Sequence, residues 1–261
     1  MTKILQLTDF HLFANHEERL KGIDTRSSLA AVVQHVLDSE VSIDHIIVTG
    51  DHTHDELASS YAFAKSQLER LADHWWQVPG NHDDRPVLRS IFPNVSGSGD
   101  DPIRFHFESD SWACIGLDSH VAGSVSGRIE AEQIDWLKKK LNASRSEYVA
   151  LFLHHPPLDI SSEWMDQIGL IGRERLAEVV AVDHRIQLIV CGHVHHDFRS
   201  ELHQATVVAS PSTGIQFDPN GASPTFAADA PGYRVIELSP DGWKSEVVRV
   251  HSAAGILDVE S

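Results

Sequence analysis

Five times along the chain, a short apolar run rich in β-branched residues ends abruptly in a tight polar cluster. Ile4–Leu7 leads into Thr8, Asp9, Phe10 and His11. Ile46–Val48 leads into Thr49, Gly50 and Asp51, and Trp75–Val78 into Pro79, Gly80, Asn81, His82 and Asp83. Val149–Leu153 leads into His154, His155, Pro156 and Pro157, and Leu188–Cys191 into Gly192, His193, Val194 and His195. Apolar runs bounded by turn-forming residues predict buried strands. Between them, apolar positions recur at helical spacing. This predicts helices over residues 25–39 (Leu29, Val32, Val33, Val36, Leu37) and 57–73 (Leu57, Tyr61, Ala64, Leu68, Leu71), with similar patterns over 130–141 and 173–183. Asp24 and Thr25 are the candidate N-caps of the first helix. Alternating strands and helices predict an α/β fold with largely parallel strands, where ligands bind beyond the carboxyl ends of the strands. All five polar clusters lie at those ends, so the pattern predicts that they converge.

Further β-rich segments, at about 103–118, 205–210, 233–238 and 243–250, predict a second sheet. Residues 210–232 are rich in Gly and Pro and lack periodicity, which marks a long functional loop. Residues 158–172, with Trp164 and Met165, are a second such loop. With no internal repeat, low-complexity stretch or linker, residues 1–261 are expected to form one domain. Its metal-binding motifs would lie within 9–196, and the C-terminal β segments and the 210–232 loop would complete it.

With 261 residues and 41% hydrophobic content, the chain can bury a substantial core without disulfides or a structural metal. Cys114 and Cys191 each sit in an apolar run and read as buried, reduced thiols, which fits a reducing cytoplasm. The N-terminal residues show no signal-peptide pattern, and no apolar run approaches the ~20 residues that span a bilayer, so a soluble, cytoplasmic chain is expected. A net charge of −17 argues against nucleic-acid backbones and anionic membranes as partners. It would also repel a phosphate substrate unless local positive charge, such as metal ions, compensates. The compositional anomaly is 18 histidines, several of them beside Asp and Asn.

Those clusters carry metal chemistry. Asp9 and His11, two residues apart at a strand end, offer an oxygen and a nitrogen to one ion, and His193 and His195 repeat the spacing. Asp51 follows a glycine that lets the backbone turn sharply, and its two oxygens can bridge two cations. Asn81 offers a neutral oxygen, and His154 ends its strand before a Pro-Pro stop. A mixed nitrogen and oxygen set without cysteine favours Mn, Fe or Zn over Ca or Mg, and argues against a structural zinc site. Any one of these clusters is weak; five in this order are not.

In this order, Asp-x-His, Gly-Asp, Gly-Asn-His-Asp, His and Gly-His-x-His resemble the calcineurin-like metallophosphoesterase family over about residues 3–196. The resemblance implies a four-layer sandwich: two face-to-face mixed β-sheets flanked by helices, with metals at one edge. It implies that Asp9, His11, Asp51 and His195 hold one ion and that Asp51, Asn81, His154 and His193 hold the other. His82 would contact the phosphate without binding metal, and His155 would support the ligands from behind. Further segments, among them Leu117–Ser119, Ser210–Thr213 with Gln216 and Phe217, and Ala230–Arg234, are similar to bacterial class III 3′,5′-cyclic-AMP phosphodiesterases.

That similarity implies hydrolysis of cyclic AMP to 5′-AMP by attack of a metal-bridging hydroxide. The cofactors would be two divalent or mixed-valence transition-metal ions, iron or manganese with zinc also compatible. His11, Asn81, His82, His195 and Thr213 would face the substrate. His82 would act as the catalytic residue, oriented by Asp55 or Asp83. Phe13, Phe217 and Trp164 are candidates to stack on the base, with ordinary packing as the competing reading for each. Ser212 reads equally as a substrate contact or a plain turn residue. His52 and His54 depart from the group's pattern and are expected mainly as surface histidines, with supporting groups or an adventitious metal site as the alternatives. Two rival functions stay open: a metallophosphodiesterase for glycerophosphodiesters, 2′,3′-cyclic nucleotides or a lipid-linked pyrophosphate, and a non-catalytic metal-binding scaffold. The sequence leaves monomer and homodimer equally open.

Overall fold

A computed structural model of the chain describes residues 1–39 and 41–253. The end of the expected 1–261 span lies outside the described residues. In chain order, the main strands are β1 (Thr2–Leu7), β2 (His45–Thr49), β3 (Trp76–Val78), β4 (Phe105–Ser109), β5 (Trp112–Gly116), β6 (Tyr148–Leu153), β7 (Ile186–Cys191), β8 (Phe198–Leu202), β9 (Ala205–Ala209), β10 (Gly232–Ser239) and β11 (Gly242–Arg249). They form a five-stranded sheet of order β11-β10-β1-β2-β3 and a six-stranded sheet of order β8-β9-β7-β6-β5-β4. In the six-stranded sheet the central strands run parallel and antiparallel strands form both edges; in the five-stranded sheet β1, β2 and the edge strand β3 run parallel, and β10 and β11 add antiparallel pairings on the other side.

Side-chain alternation builds four layers from these strands. Ile4, Ile47, Trp112, Cys114, Phe152, Leu188 and Val190 point between the two sheets and pack there. Leu5 and Leu7 point the other way, onto α1 (Thr25–Asp38) and α2 (Ala58–Leu68), through Leu29, Val32, Val33, Tyr61, Ala64 and Leu68. On the far side, Ala113, Ile115, Leu151 and Leu153 pack beneath α4 (Ala131–Ala143) and α5 (Arg173–Val182), which follow α3 (Arg85–Ile91) in the chain. Each fully buried aliphatic or aromatic side chain contributes roughly 1.5–3 kcal/mol. Asp24 caps α1 as expected, its carboxylate accepting from Ser27 N at 3.0 Å.

The inter-sheet layer also holds one polar pin. Gln6 shares a strand face with Ile4 and is fully buried. Its amide donates to Thr49 Oγ1 (2.8 Å) and to the Cys191 carbonyl (2.9 Å), joining the two sheets. Buried Arg234, paired with Gln6 in register, donates through Nε to Ser210 Oγ (3.0 Å). Both cysteines are free and buried, and burial pushes their thiols up.

Two expectations change. The second sheet is not built from the late segments alone: β6 and β7 are its centre, while residues 232–239 and 242–249 join the first sheet beside β1. The antiparallel partner of β1 comes from the far end of the chain, and local periodicity carries no information on pairing. The pattern also passes over α3 and β8. The former is seven residues long, with Asp84 as N-cap and proline in its first turn; the latter is a half-exposed edge strand. No helix among the described residues is long and apolar enough to cross a membrane.

Candidate metal centre

The five polar clusters do meet. The segment after β1 runs beside the segment after β2, with Asp9 N donating to the Gly50 carbonyl and His11 N to the Asp51 carbonyl, each at 3.0 Å. Gly192 N donates to the His154 carbonyl at 3.0 Å and ties β7 to β6 in the other sheet. Asp9, His11, Asp51, His193 and His195 all adopt left-handed backbone, with φ of 56°, 46°, 53°, 70° and 52°. For residues other than glycine this strain costs on the order of 1 kcal/mol or more each, and it concentrates where side chains must be aimed. Two glycines permit the crowding. A Cβ on Gly50 would stand 2.5 Å from Gly80 N and 2.6 Å from His154 Nδ1, and one on Gly80 would stand 2.1 Å from Asp51 Oδ1.

Hydrogen-bond logic fixes what the rings present. His154 Nδ1–H donates to the Thr49 carbonyl (2.7 Å) and His195 Nδ1–H to the Ile215 carbonyl (2.8 Å). A carbonyl only accepts, so in each neutral ring Nε2 carries the lone pair. The His154 Nε2 lies 3.4 Å from Asp51 Oδ2 and 3.1 Å from Asn81 Oδ1. The His195 Nε2 lies 3.3 Å from Asp9 Oδ1 and 3.1 Å from His11 Nε2, and the latter is itself 3.4 Å from Asp51 Oδ2. His193 Nδ1 is 3.1 Å from the same Asn81 oxygen. Acceptors facing acceptors need positive charge between them. The seven expected ligands therefore fit a pair of cations, with Asp51 shared between the two halves, and nitrogen and oxygen donors of this kind suit transition metals.

The ionisation behaviour has the same cause. Burial raises the Asp51 carboxyl, but the His154 ring and then His11 and His82 pull it well below the usual carboxylate range. Burial lowers His154, while the Asp51 carboxylate and then Asp9 reverse the sign and hold it at about 9. His11 and His193 lie well below the ordinary histidine value, first through burial.

Beside this cluster lies a cavity of about 300 Å³, bordered by His11, Asp51, Asn81, His82, His193 and His195. Leu20, Lys21, Trp164, Ile168, Phe217 and Phe226 line the same cavity. A larger cleft, of about 500 Å³, borders Trp76 and Phe105. Among the described residues, however, every group of donors close enough to hold an ion includes at least one residue that lines the smaller cavity. His82 sits on its wall, with its backbone N donating to Asp51 Oδ1 at 2.8 Å and its ring 4.8 Å from that of His11. The 210–232 loop folds one edge of the cavity through a short ladder pairing Gln216–Phe217 with Phe226–Ala227, and Phe217 stacks on His195 at 4.1 Å. Trp164 and Ile168 come from the 158–172 loop. Leu20, Lys21, Ile168 and Phe226 carry no motif in the sequence.

Other expectations are corrected or resolved. His52 is no surface residue: it is fully buried, with Nδ1 3.0 Å from Asp83 Oδ2 and Nε2 3.0 Å from Gln77 Oε1. His54 is half-buried on the cavity wall, and burial and then the neighbouring His82 push it down to about 4. Neither carboxylate expected to orient His82 does so. Asp83 engages His52 and Gly80 N, and Asp55 accepts from Ala14 N, Leu57 N and Ser60 Oγ. The ring packed on His82 is His54, stacked at 4.6 Å. His155 has both nitrogens committed, to Ser119 Oγ (2.8 Å) and the Val125 carbonyl (3.0 Å), and burial then His154 push it down to about 3. Its ring packs 4.5 Å from that of His193, so it braces the cluster from behind.

Thr213 is buried and does not border the cavity; its backbone N donates to the Thr8 carbonyl. Ser212 is a turn residue, accepting from Gly214 N and donating to the Asp9 carbonyl. Phe13 packs on His54 rather than lining the cavity.

Fold and site together define a metal-dependent hydrolase, and the chain belongs to the calcineurin-like phosphoesterase family, whose model matches residues 2–197. It is 34% identical over 241 residues, 92% of this chain and 86% of the relative, to the 3′,5′-cyclic adenosine monophosphate phosphodiesterase CpdA of Escherichia coli (strain K12). It is 32% identical over 248 residues, 95% of this chain and 92% of the relative, to a 3′,5′-cyclic-nucleotide phosphodiesterase of Nostoc. Among solved structures, a dimetal phosphatase from Danio rerio shares the fold, with a TM-score of 0.69 at 15% identity over 95% of this chain and 99% of that one.

Proposed function

We propose that the chain hydrolyses 3′,5′-cyclic AMP to 5′-AMP at this centre. Asp9, His11, Asp51 and His195 would hold one transition-metal ion, and Asp51, Asn81, His154 and His193 the other. Iron and manganese suit this donor set best, with zinc compatible. The observation that carries the substrate choice is the cavity wall. In the same cavity as the polar cluster, Phe217, Trp164 and Phe226 offer aromatic surface for a purine to stack on. A glycerol headgroup has nothing to stack there. The cyclic-nucleotide phosphodiesterases among the relatives support the same choice.

Bound cations would neutralise the phosphate and supply a nucleophile at neutral pH by acidifying water. The protein's own groups do the rest. Asn81, being neutral, keeps the centre more positive than a third carboxylate would, which suits a singly charged diester. His11, Asn81 and His195 border the space the phosphate enters, and Lys21 adds a cation at the same cavity, which matters on a chain of net charge −17. His82 donates a hydrogen bond to a phosphoryl oxygen or a proton to the departing 3′ oxygen.

The test is turnover at equal metal loading of 3′,5′-cyclic AMP, 2′,3′-cyclic AMP, glycerophosphodiesters and bis(p-nitrophenyl) phosphate. We expect kcat/KM for 3′,5′-cyclic AMP to exceed each of the others by roughly tenfold or more. Preference for a glycerophosphodiester or the 2′,3′ isomer would overturn the substrate assignment.

A further inference from the structure

His54 belongs to no element of the motif set, yet it touches two of its members. Its Nδ1 is 3.2 Å from His11 Nδ1, and its ring lies face to face with His82 at 4.6 Å and 18°. Phe13 packs on it from another side, at 4.9 Å. The next residue, Asp55, is anchored by Ala14 N, Leu57 N and Ser60 Oγ. The ring is therefore held in place rather than left to rotate.

The proton positions follow from the neighbours. His11 Nε2 points into the cluster, toward the His195 lone pair and the Asp51 carboxylate. With a cation bound there, that nitrogen gives its lone pair to the ion, and the His11 proton must sit on Nδ1. His11 Nδ1–H then donates to His54 Nδ1, which accepts through its own lone pair. A neutral imidazole has one proton, so that of His54 is forced onto Nε2. Among the described residues that Nε2 makes no hydrogen bond to a protein acceptor, and His54 lines the cavity.

We propose that His54 is a second phosphate-contacting imidazole beside His82 and, through its other nitrogen, the residue that positions His11. The inference rests on the metallophosphoesterase reading of the centre, not on the identity of the base. Donor atoms of His11, His54 and His82 also come within 4.8 Å of one another, as a separate ion would need. That arrangement fails on lone pairs, since His11 spends one on the centre and its other nitrogen carries a proton.

The two roles separate by substitution. In His54→Asn the amide oxygen falls where Nδ1 was and keeps the acceptor for His11, but nothing reaches the Nε2 position. In His54→Gln the amide N–H reaches the Nε2 position and the acceptor is lost. Metal affinity is measured by titration of the chelator-treated protein with Mn²⁺, and phosphate affinity by calorimetry with inorganic phosphate on the loaded protein. His54→Asn should keep metal affinity near that of the parent and bind phosphate roughly tenfold or more weakly. Its KM should rise in step. His54→Gln should keep phosphate affinity and bind metal roughly 10- to 100-fold more weakly. Both variants matching the parent in both titrations, or the two losses appearing in the reverse assignment, overturns the proposal. If the parent binds metal and phosphate but does not turn over cyclic AMP, the substrate assignment fails while this one stands.

Discussion

Asp51→Asn tests the centre most directly, because it removes one charge with almost no change of shape. The carboxylate stands at the junction: Oδ2 is 3.4 Å from His11 Nε2 in one half and 3.4 Å from His154 Nε2 in the other. Asn81 touches one half only, its oxygen 3.1 Å from His154 Nε2 and 3.1 Å from His193 Nδ1. Replacing a charged partner by a neutral one costs about 1.5–3 kcal/mol per interaction, which is roughly 10- to 150-fold in dissociation constant. For Asp51→Asn that factor applies to both ions; Asn81→Ala removes instead a neutral oxygen donor, and from one ion only. Elemental analysis after gel filtration against a weak chelator reads the difference. The parent should retain its pair of ions, Asn81→Ala a single ion and Asp51→Asn almost none, with circular dichroism unchanged in all three. If Asp51→Asn holds metal as well as the parent, or sheds only the ion that Asn81→Ala sheds, Asp51 is not shared and the two-cation reading is wrong.

Other outcomes follow from the same geometry. Gly80→Ala would place a Cβ 2.1 Å from Asp51 Oδ1 and 2.5 Å from Asp51 N, against backbone that cannot swing aside; turnover should fall roughly 100-fold or more while the core still folds, as read by kinetics beside thermal melting. In chelator-treated protein, the His154 pKa raised from 6.5 to about 9 contributes stability that is complete below pH 6.5 and is lost as pH climbs through 9. The melting temperature should therefore drop over that window, whereas metal-loaded protein, in which an ion would occupy the same nitrogen, should not show the drop; equal profiles would contradict the assignment. Phe217→Ala should raise KM for cyclic AMP about tenfold or more while leaving bis(p-nitrophenyl) phosphate nearly unaffected, since stacking on a base is worth about 1–3 kcal/mol. Equal effects on both substrates would remove Phe217 from base recognition.

The strand-then-cluster pattern was readable because a buried parallel strand must be continuously apolar and its ligand-binding end must not be. That contrast is local, and it locates Asp9, His11, Asp51, Asn81, His154, His193 and His195. Among the described residues, the four helices of ten residues or more also announce themselves, because each covers a sheet with apolar residues at helical spacing. What stays hidden depends on distant partners. Nothing around His52 signals that Gln77 and Asp83, far along the chain, will enclose it, so its polarity reads as exposure. The roles of Asp55 and Asp83 go wrong for the same reason: proximity in sequence to His82 says nothing of which groups compete for their oxygens. The cavity wall is legible only in part: Phe217 and Trp164 stand out in the sequence, but Leu20, Lys21, Ile168 and Phe226 do not, and Phe226 meets Phe217 through a two-residue ladder too short for any periodicity to show.

The origin of the donors has a mechanical consequence. Asp9, His11, Asp51 and Asn81 follow strands of one sheet, while His154, His193 and His195 follow strands of the other. Each proposed ion would draw on both, like a rivet through two plates. A slip of an ångström between the plates parts the donors, even if neither plate is itself deformed. Damage far from the rivets, such as a cavity opened around Trp112, should then register first as lost grip on metal. Ion affinity becomes a gauge of how tightly the two leaves are pressed together.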